Sequence, residues 1–553
     1  MIAHLVDSIG NHPKLHNHVC YNEQGAAFAA VGEAKISGHA TFAYSTSGPG
    51  AMNLINGIAD AYFDSCPVIF ITGQLNTNEY LSIPNIRQHG FQQMDVVSVM
   101  KPITKYCTMV DDPEDIPLIL EEAWYEATSG RPGPVVIDLP MNMQRQNIDP
   151  SNVEHFKVPT KNFISTPSSP DNVAKKIMNA LSNAERPVLL LGNGATKNKR
   201  DLSRKVVEKL GIPTVTSLLG RDILPFSHPL NFGFIGSAYG HRYANLIIHK
   251  KADLIICLGD SLCKRQTGMN TENFASQADI IRVDIDPVEL SRRVHKSETS
   301  YLADCRDVML TLLQQDQPPV KYSEWLRNCQ EIKDELIKFD NTCEERIPNR
   351  YIELISDMTT WAGSIAADVG QHQMWTAQSY KLREDQRMIF SGGHGCMGFS
   401  LPASFGAYYA TSKPVITIVG DGSLQMNIQE LEWLNREQLP ITVFVMNNHA
   451  LGLIHQQQNS LFEGRYFSSA EIGGYSVPDF PAIASAYGIN SYSVNGIKEL
   501  SNVLDNLNHD VPNLINIELS CDTSAAPKTS FGEEMHMQKP YIPKKLMDKL
   551  LAL

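Results

Sequence analysis

At 553 residues, and ~100 to 200 residues per domain, the chain predicts three or four domains and excludes a minimal binding module. Its 47 Lys and Arg against 60 Asp and Glu leave a net charge of −13, which makes nucleic acid an unexpected partner. Hydrophobic residues at 42% and charged residues at 19% describe a chain folded throughout rather than a disordered one.

The ten cysteines stand singly, without a C-x-x-C pair or a Cys/His cluster, so neither zinc nor a disulfide framework is expected. No apolar run approaches the ~20 residues that cross a bilayer, and the start MIAHLVDSIGNHPK lacks a signal-peptide build. No membrane partner is expected, and the expected compartment is reducing and cytoplasmic.

In chain order, the first third carries the short apolar runs TFAYSTSGPG, CPVIFITGQ and GPVVIDLP. Residues 157–170 (KVPTKNFISTPSSP) have no apolar period and read as a linker. The middle third carries RPVLLLGNG, ADLIICLGD and DIIRVDIDP. A second interruption, 314–348, opens QQDQPPV and holds a polar helical stretch over 324–339. The last third carries PVITIVGDG, ITVFVMNN and PNLINIEL. Runs of this length that end in Gly, Asp or Asn before a helix predict parallel strands buried on both faces. The expected fold class is α/β, with three doubly wound, mainly parallel-sheet domains at 1–156, 171–313 and 349–535. Ligands in such sheets sit at the carboxyl ends of the strands.

The most informative segment is VITIVGDGSLQMNIQELEWLNREQLPITVFVMNNHALG, over 415–452. It reads as a strand ending at GDG, a helix of about a dozen residues starting near Ser423, and a strand ending at NN. A parallel crossover sets successive strand ends side by side, so Asp421 and Asn448 are expected to face one point. A carboxylate and an amide oxygen are hard ligands suited to Mg²⁺. Gly420 and Gly422 allow close approach of a diphosphate, toward which the helix start directs free N–H groups.

GDG, 24 intervening residues and NN resemble the thiamine diphosphate (ThDP) motif, and the wider chain resembles acetolactate synthase and its relatives. The resemblance rests on YNEQGAAFAA, TSGPGAMNLINGIADAYFDSCPVIFITGQ, SGRPGPVVIDLP, DVGQHQMW, GGHGCMGFSLPASFGA and GDGSLQMNIQELEWL, in that order. It implies Asp421, Asn448 and the main-chain carbonyl of Ala450 as ligands of Mg²⁺. It places Gly422, Ser423, Gln371 and His372 at the diphosphate, and Pro49 and Asn53 along the aminopyrimidine. Glu23 would hydrogen-bond the pyrimidine N1′ and so activate the coenzyme. Met397 would be the apolar wedge under the bent cofactor. Phe91 and Gln92, in GFQQMD, match the pair placed over the reacting carbon. His89 stands alone, unlike the His-His pair of simple pyruvate decarboxylases, so carboligation is favoured over aldehyde release.

The implied reaction is decarboxylation of pyruvate, a 2-oxo acid, with transfer of its two-carbon unit to a second 2-oxo acid. Glu23 and Asp421 would come from different subunits, making a homodimer the minimum unit, with a tetramer and a regulatory subunit left open. Gln457 stands where the family carries Trp, and Met141 where it carries Lys. A different carbonyl acceptor, ketosugar or aldehyde, is therefore the alternative, and an idle homologue the third reading. In the middle domain GDSLCKRQTG keeps Arg265, Thr267 and Gly268 of the family's segment but changes several residues expected near a flavin, while LGNG and VDIDP look like nucleotide-fold strand ends. FAD is therefore left open. The family's first strand and glycine turn have no counterpart before MIAHLVDSI, so the first domain is expected to lack that strand and to expose a sheet edge.

Overall fold

The computed structural model describes all residues except 80–85, 150, 152, 160–166, 197–199, 237–238, 317–320 and 531. Parts of both sequence-predicted interruptions, 157–170 and 314–348, thus lie outside the described residues.

Each of the nine apolar runs forms a strand, and every pairing in the three large sheets is parallel. The first sheet holds β1 (Thr41–Ser45), β2 (Val68–Gln74), β3 (Tyr106–Met109) and β4 (Val135–Pro140), in the order β1-β2-β4-β3. The second holds β5 (Pro187–Leu191), β6 (Thr214–Thr216), β7 (Asn231–Phe234), β8 (Leu254–Leu258), β9 (Asp279–Asp284) and β10 (Glu298–Leu302). Its order, β10-β9-β8-β5-β6-β7, reverses direction between β5 and β8, which is where a doubly wound sheet opens a ligand crevice. The third holds β11 (Ser364–Ala367), β12 (Arg387–Phe390), β13 (Val415–Gly420), β14 (Ile441–Asn447), β15 (Asn490–Val494) and β16 (Asn513–Glu518), in the order β12-β11-β13-β14-β16-β15. Its switch point lies between β11 and β13.

The polar stretch expected over 324–339 is the helix Ser323–Asp340, which buries Trp325, Cys329, Ile332 and Leu336 against the second sheet. The same core receives Leu550 of the C-terminal helix Lys544–Ala552.

The single helix expected after GDG does not form. The chain makes a short helix Asp421–Met426, a 3₁₀ turn Ile428–Glu430 and a second short helix Leu431–Arg436. Asn427 breaks the run at φ −135° and ψ 32° because its side-chain amide donates to the Gly398 carbonyl at 2.8 Å. The break also turns Glu430 toward the first domain, where its carboxylate accepts from the Tyr21 and Asn22 amides at 3.2 and 3.0 Å.

The first and third domains meet through two helices, Glu23–Ser37 and Ser400–Thr411. The first is rich in Ala, is capped by Asn22, whose side chain accepts from the Gln24 amide, and ends at Gly38 in the left-handed region. The two backbones touch: a Cβ at Gly32 would lie 2.2 Å from the Ala403 carbonyl oxygen, and one at Gly406 would lie 1.9 Å from that of Ala29. None of the ten cysteines is in a disulfide, and among the described residues no helix is long and apolar enough to cross a membrane.

Gly406→Ala should lower the unfolding free energy by at least about 2 kcal/mol in denaturant titrations, because backbone rather than a flexible side chain blocks the methyl. Gly10→Ala, which meets nothing within 4 Å, should change stability by no more than about 1 kcal/mol.

Candidate active site

Parallel pairing of β13 with β14 sets Gly420 opposite Met446, so the corner at Asp421 and the corner at Asn448 lie side by side. Asp421 is only 2% exposed. One carboxylate oxygen accepts from the Gly422 amide at 2.6 Å and the Tyr475 hydroxyl at 3.0 Å, and the other from the Ala450 amide at 3.2 Å. Burial nevertheless pushes its pKa up, because these donors replace water only in part. Among the described residues Asp421 forms no ion pair. A buried carboxylate with neutral donors alone is the arrangement that a cation completes.

Asn448 supplies the second oxygen, and its orientation follows from a chain of amides anchored on backbone. The Gln371 Nε2 donates to the Thr523 carbonyl at 2.8 Å and to Gln456 Oε1 at 3.1 Å. Gln456 Oε1 in turn accepts from the Ala525 amide at 3.1 Å. Gln371 Oε1 must then face Asn448, whose Nδ2 donates to it at 3.1 Å and meets Thr523 Oγ1 at 3.0 Å. With its N–H groups used there, Asn448 presents Oδ1 in the opposite direction. A carboxylate and an amide oxygen, with no thiolate or imidazole between them, are hard donors of the kind that suit Mg²⁺. The Ala450 amide is turned to Asp421; its carbonyl is the third ligand that the sequence resemblance implies.

His372 follows Gln371 at the start of the helix Gln371–Ser379 and is enclosed by two glycines. A Cβ at Gly370 or Gly420 would come within 2.4 or 2.6 Å of its ring, so side chains there would displace it. Its Nε2 is buried and has no hydrogen-bond partner among the described residues, an orphaned polar atom of the kind a bound ligand satisfies. Ser423 Oγ donates to the Val369 carbonyl at 3.1 Å, which ties the β13 corner to the β11 corner. Gly422 is open where a side chain would meet Leu451 and Tyr475, and the Met397 methyl lies 3.4 Å from its Cβ position. Met397 therefore leans over the Asp421–Gly422 corner, on a turn held by Asp368 through the Gly398 and Ser400 amides at 3.0 and 2.7 Å.

In the first domain Glu23 opens its helix, and its Oε2 accepts from Asn53 Nδ2 at 2.9 Å. A Cβ at Gly50 would lie 3.0 Å from Glu23 Oε1, so glycine leaves that oxygen accessible. Pro49 starts the short helix Pro49–Asn53, and both Pro49 and Asn53 are exposed. Phe91 is 79% exposed, and Gln92, at φ +64°, packs on Gly48. Thus Glu23, Pro49, Asn53, Phe91 and Gln92 form one surface; Gln371, His372, Met397, Asp421, Gly422, Ser423, Asn448 and Ala450 form another. Among the described residues no hydrogen bond joins the two sets. Gln457 is exposed on the helix Gly452–Leu461, and Met141 begins the short helix after β4.

Asp368, Tyr475, Gln456 and Thr523 were not singled out from sequence. Asp368 stands in DVGQHQMW at a strand end and could have been found by the rule that found Asp421. Thr523 follows β16 and carries no motif.

A third feature is a cavity of about 590 Å³ at the switch point of the second sheet. It is lined from all three domains, by Asp64 and Arg131, by Arg265 and Asp284, and by Gly392 and Gly393. Burial pushes the Asp284 carboxyl up to about 6.

Burial holds the His372 pKa down, to about 3 against an ordinary 6.5. The unfolded chain takes up this proton first, so His372 should subtract stability as the pH falls from 6.5 toward 3 and contribute no pH dependence above 6.5. Ring resonances of the cofactor-free protein should show no His372 titration between pH ~5 and 8, and a midpoint near the ordinary value would contradict this burial.

Three family models match the chain. Residues 1–99 match the thiamine pyrophosphate enzyme N-terminal TPP binding domain, 174–312 the central domain and 368–517 the C-terminal TPP binding domain. The chain is 36% identical over 532 residues to the acetolactate synthase large subunit of Lactococcus lactis subsp. lactis (strain IL1403), covering 96% of this chain and 90% of the relative. It is 35% identical over 539 residues to the acetolactate synthase isozyme 1 large subunit of Escherichia coli (strain K12), covering 96% and 92%. To the probable acetolactate synthase 2, chloroplastic, of Oryza sativa subsp. japonica it is 37% identical over 498 residues, covering 86% and 73%. Set beside the two strand-end corners and the Glu23 helix, these relations show that the chain belongs to the acetolactate synthase family of thiamine pyrophosphate enzymes.

Proposed function

We propose that the protein uses ThDP and Mg²⁺ to decarboxylate pyruvate and to join the remaining two-carbon unit to a second 2-oxo acid. The observation that carries this reading is the Asp421 corner: a buried carboxylate whose donors among the described residues are all neutral, beside an Asn448 amide that a backbone-anchored amide chain orients. Likeness to acetolactate synthases across almost the whole chain supports the same reaction.

Two pyruvates and one proton give one acetolactate and one CO₂. One carbon–carbon bond breaks, one forms, and there is no net oxidation. When bound, ThDP supplies the nucleophilic carbon to which the oxo acid adds and which accepts the electron pair left by CO₂. Asp421, Asn448 and the Ala450 carbonyl would hold Mg²⁺, with Gly422, Ser423, Gln371 and His372 around the diphosphate. Met397 would support the cofactor from below. Glu23, held by Asn53, would share a proton with N1′ of the pyrimidine, flanked by Pro49. Phe91 and Gln92 would cover the reacting carbon and exclude water. Pro49, Asn53 and Phe91 of the first set are exposed, and among the described residues the set does not bond to the second within one chain, which supports a homodimer that brings Glu23 of one subunit to Asp421 of the other.

The cavity in the second domain is proposed as the seat of a dinucleotide, FAD. Its volume, its place at a sheet switch point and its arginines Arg131 and Arg265 support that occupant. A redox-neutral reaction gives such a group a structural task. Purified protein should show flavin absorbance or gain thermal stability with added FAD; a colourless protein indifferent to FAD would remove it from the reading.

Incubation with pyruvate, ThDP and Mg²⁺ should release CO₂ and form acetolactate in equal amounts. Turnover only after an aldehyde or ketosugar is added would replace the second oxo acid with that acceptor. Glu23→Gln should keep ThDP binding and lose at least ~100-fold in turnover, as removal of a general acid–base group does. Unchanged turnover would refute the role of Glu23.

A further inference from the structure

Met397 sits on a turn, 391–398, with the sequence SGGHGCMG, in which four of eight residues are glycine. Gly395 and Gly398 occupy the left-handed region, at φ +76° and +81°. Such a stretch has little conformational preference of its own, so its shape must be imposed by neighbours. The neighbours are carboxylates, and two of them belong to another domain.

Asp60 and Asp64 lie one turn apart, on and just after the helix Ile55–Phe63, and are 0% and 1% exposed. Asp64 accepts the Gly393 amide on one oxygen at 2.7 Å and the Gly392 amide on the other at 2.9 Å. Asp60 accepts the Ser391 hydroxyl, and Ser391 Oγ accepts the Gly395 and Cys396 amides at 3.0 and 2.9 Å. Between the carboxylates lies Lys35, whose ammonium meets Asp64 at 2.5 Å, Asp60 at 3.4 Å and the Phe390 carbonyl at 2.5 Å. It also lies 4.8 Å from the centre of the Phe399 ring.

One ammonium faces two carboxylates in a buried cluster, so the excess negative charge is satisfied by main-chain N–H groups of the turn. The order of the turn and the packing of the two domains are therefore one event. Before Met397 the 392 and 393 amides donate to Asp64 of the first domain, and the 395 and 396 amides donate to Ser391, whose hydroxyl donates to Asp60, while Asp368 holds the 398 and 400 amides after it. Met397 is suspended between the two anchors, with its methyl over Gly422.

We infer that Lys35, Asp60 and Asp64 are positioning residues that set Met397 from across the domain boundary, acting through Ser391 and the amides of the turn. The inference rests on the reading that Met397 supports bound ThDP, and it separates two parts of binding. The diphosphate end depends on Asp421 and Asn448, whereas the ring end depends on the suspended turn.

The test measures binding by calorimetry on the full-length protein, with ThDP plus Mg²⁺ and with inorganic pyrophosphate plus Mg²⁺. Ser391→Ala, which removes three hydrogen bonds of the turn, should weaken ThDP binding about tenfold and leave pyrophosphate binding unchanged. Ile515→Val, a core truncation elsewhere in the third domain, should lower thermal stability without altering the ratio of the two affinities. If Ser391→Ala changes neither affinity, or both in proportion, the positioning role is overturned. Failure of the wild-type protein to bind ThDP would instead strike the function proposed above. Hydrogen exchange on the cofactor-free wild-type protein gives a readout independent of any variant: the Gly395 and Cys396 amides should exchange as slowly as core strand amides, and fast exchange there would also overturn the inference.

Discussion

The close crossing of the helices Glu23–Ser37 and Ser400–Thr411 is the constraint on which the rest of the molecule depends. Each helix begins at a functional point, one with Glu23 and the other three residues after Met397. Contact at Gly32 and Gly406 brings backbone against backbone, with no side chain between them that could yield. Sliding one helix along the other would carry the first-domain carboxylate away from the third-domain turn. Packing at two glycines thus fixes the relation of the two surfaces within one chain more tightly than a layer of larger, adaptable side chains would.

Electrostatics then decides what stands at the strand ends. Asp138 lies within β4, and Asp260, Asp368 and Asp421 follow β8, β11 and β13; all are buried, and burial raises the pKa of each. Most are satisfied locally. Asp138 is bound by Thr72 and Gln74, Asp260 by the Leu262 amide and Gln266, and Asp368 by the amides that shape the Met397 turn. Asp421 differs in standing at a corner beside Asn448, whose N–H groups are taken up by Gln371 and Thr523. In the proposed reading a cation held by their two oxygens would separate this corner from the structural ones.

The strands that could be read from sequence were those that are apolar along their whole length. The strands that were not read, β3, β6, β7, β10, β11, β12 and β15, are short or lie at or next to a sheet edge. β10 and β15 are half exposed, so polar residues interrupt their pattern, and β11 is only SIAA, whose small residues carry little signal although they are fully buried. The GDG and NN corners were legible because strand-end chemistry is local. The broken helix after GDG was not: Asn427 and Glu430 leave the helical path for partners at Gly398, Tyr21 and Asn22, which are distant in sequence. The amide chain through Thr523 and Gln456 was hidden for the same reason, since its polarity is set by backbone groups of a segment far along the chain.

These connections also bear on the middle domain. Asp64, Gly392 and Gly393 line the cavity of the second sheet, and the same three residues hold the start of the Met397 turn. A group filling the cavity would therefore press on backbone that is already bonded to the first domain, and would stiffen the turn without touching the reacting carbon. Arg131, from the first domain, also lines the cavity and binds Asp286 at 3.1 Å and Glu289 at 3.2 Å. The cavity lining thus includes members of two interdomain ties, the Arg131 ion pairs and the buried Lys35 cluster. A redox-neutral carboligation needs no electron carrier, yet it does need water kept from a reactive two-carbon unit. A junction of all three domains, tied at these points, would serve that requirement.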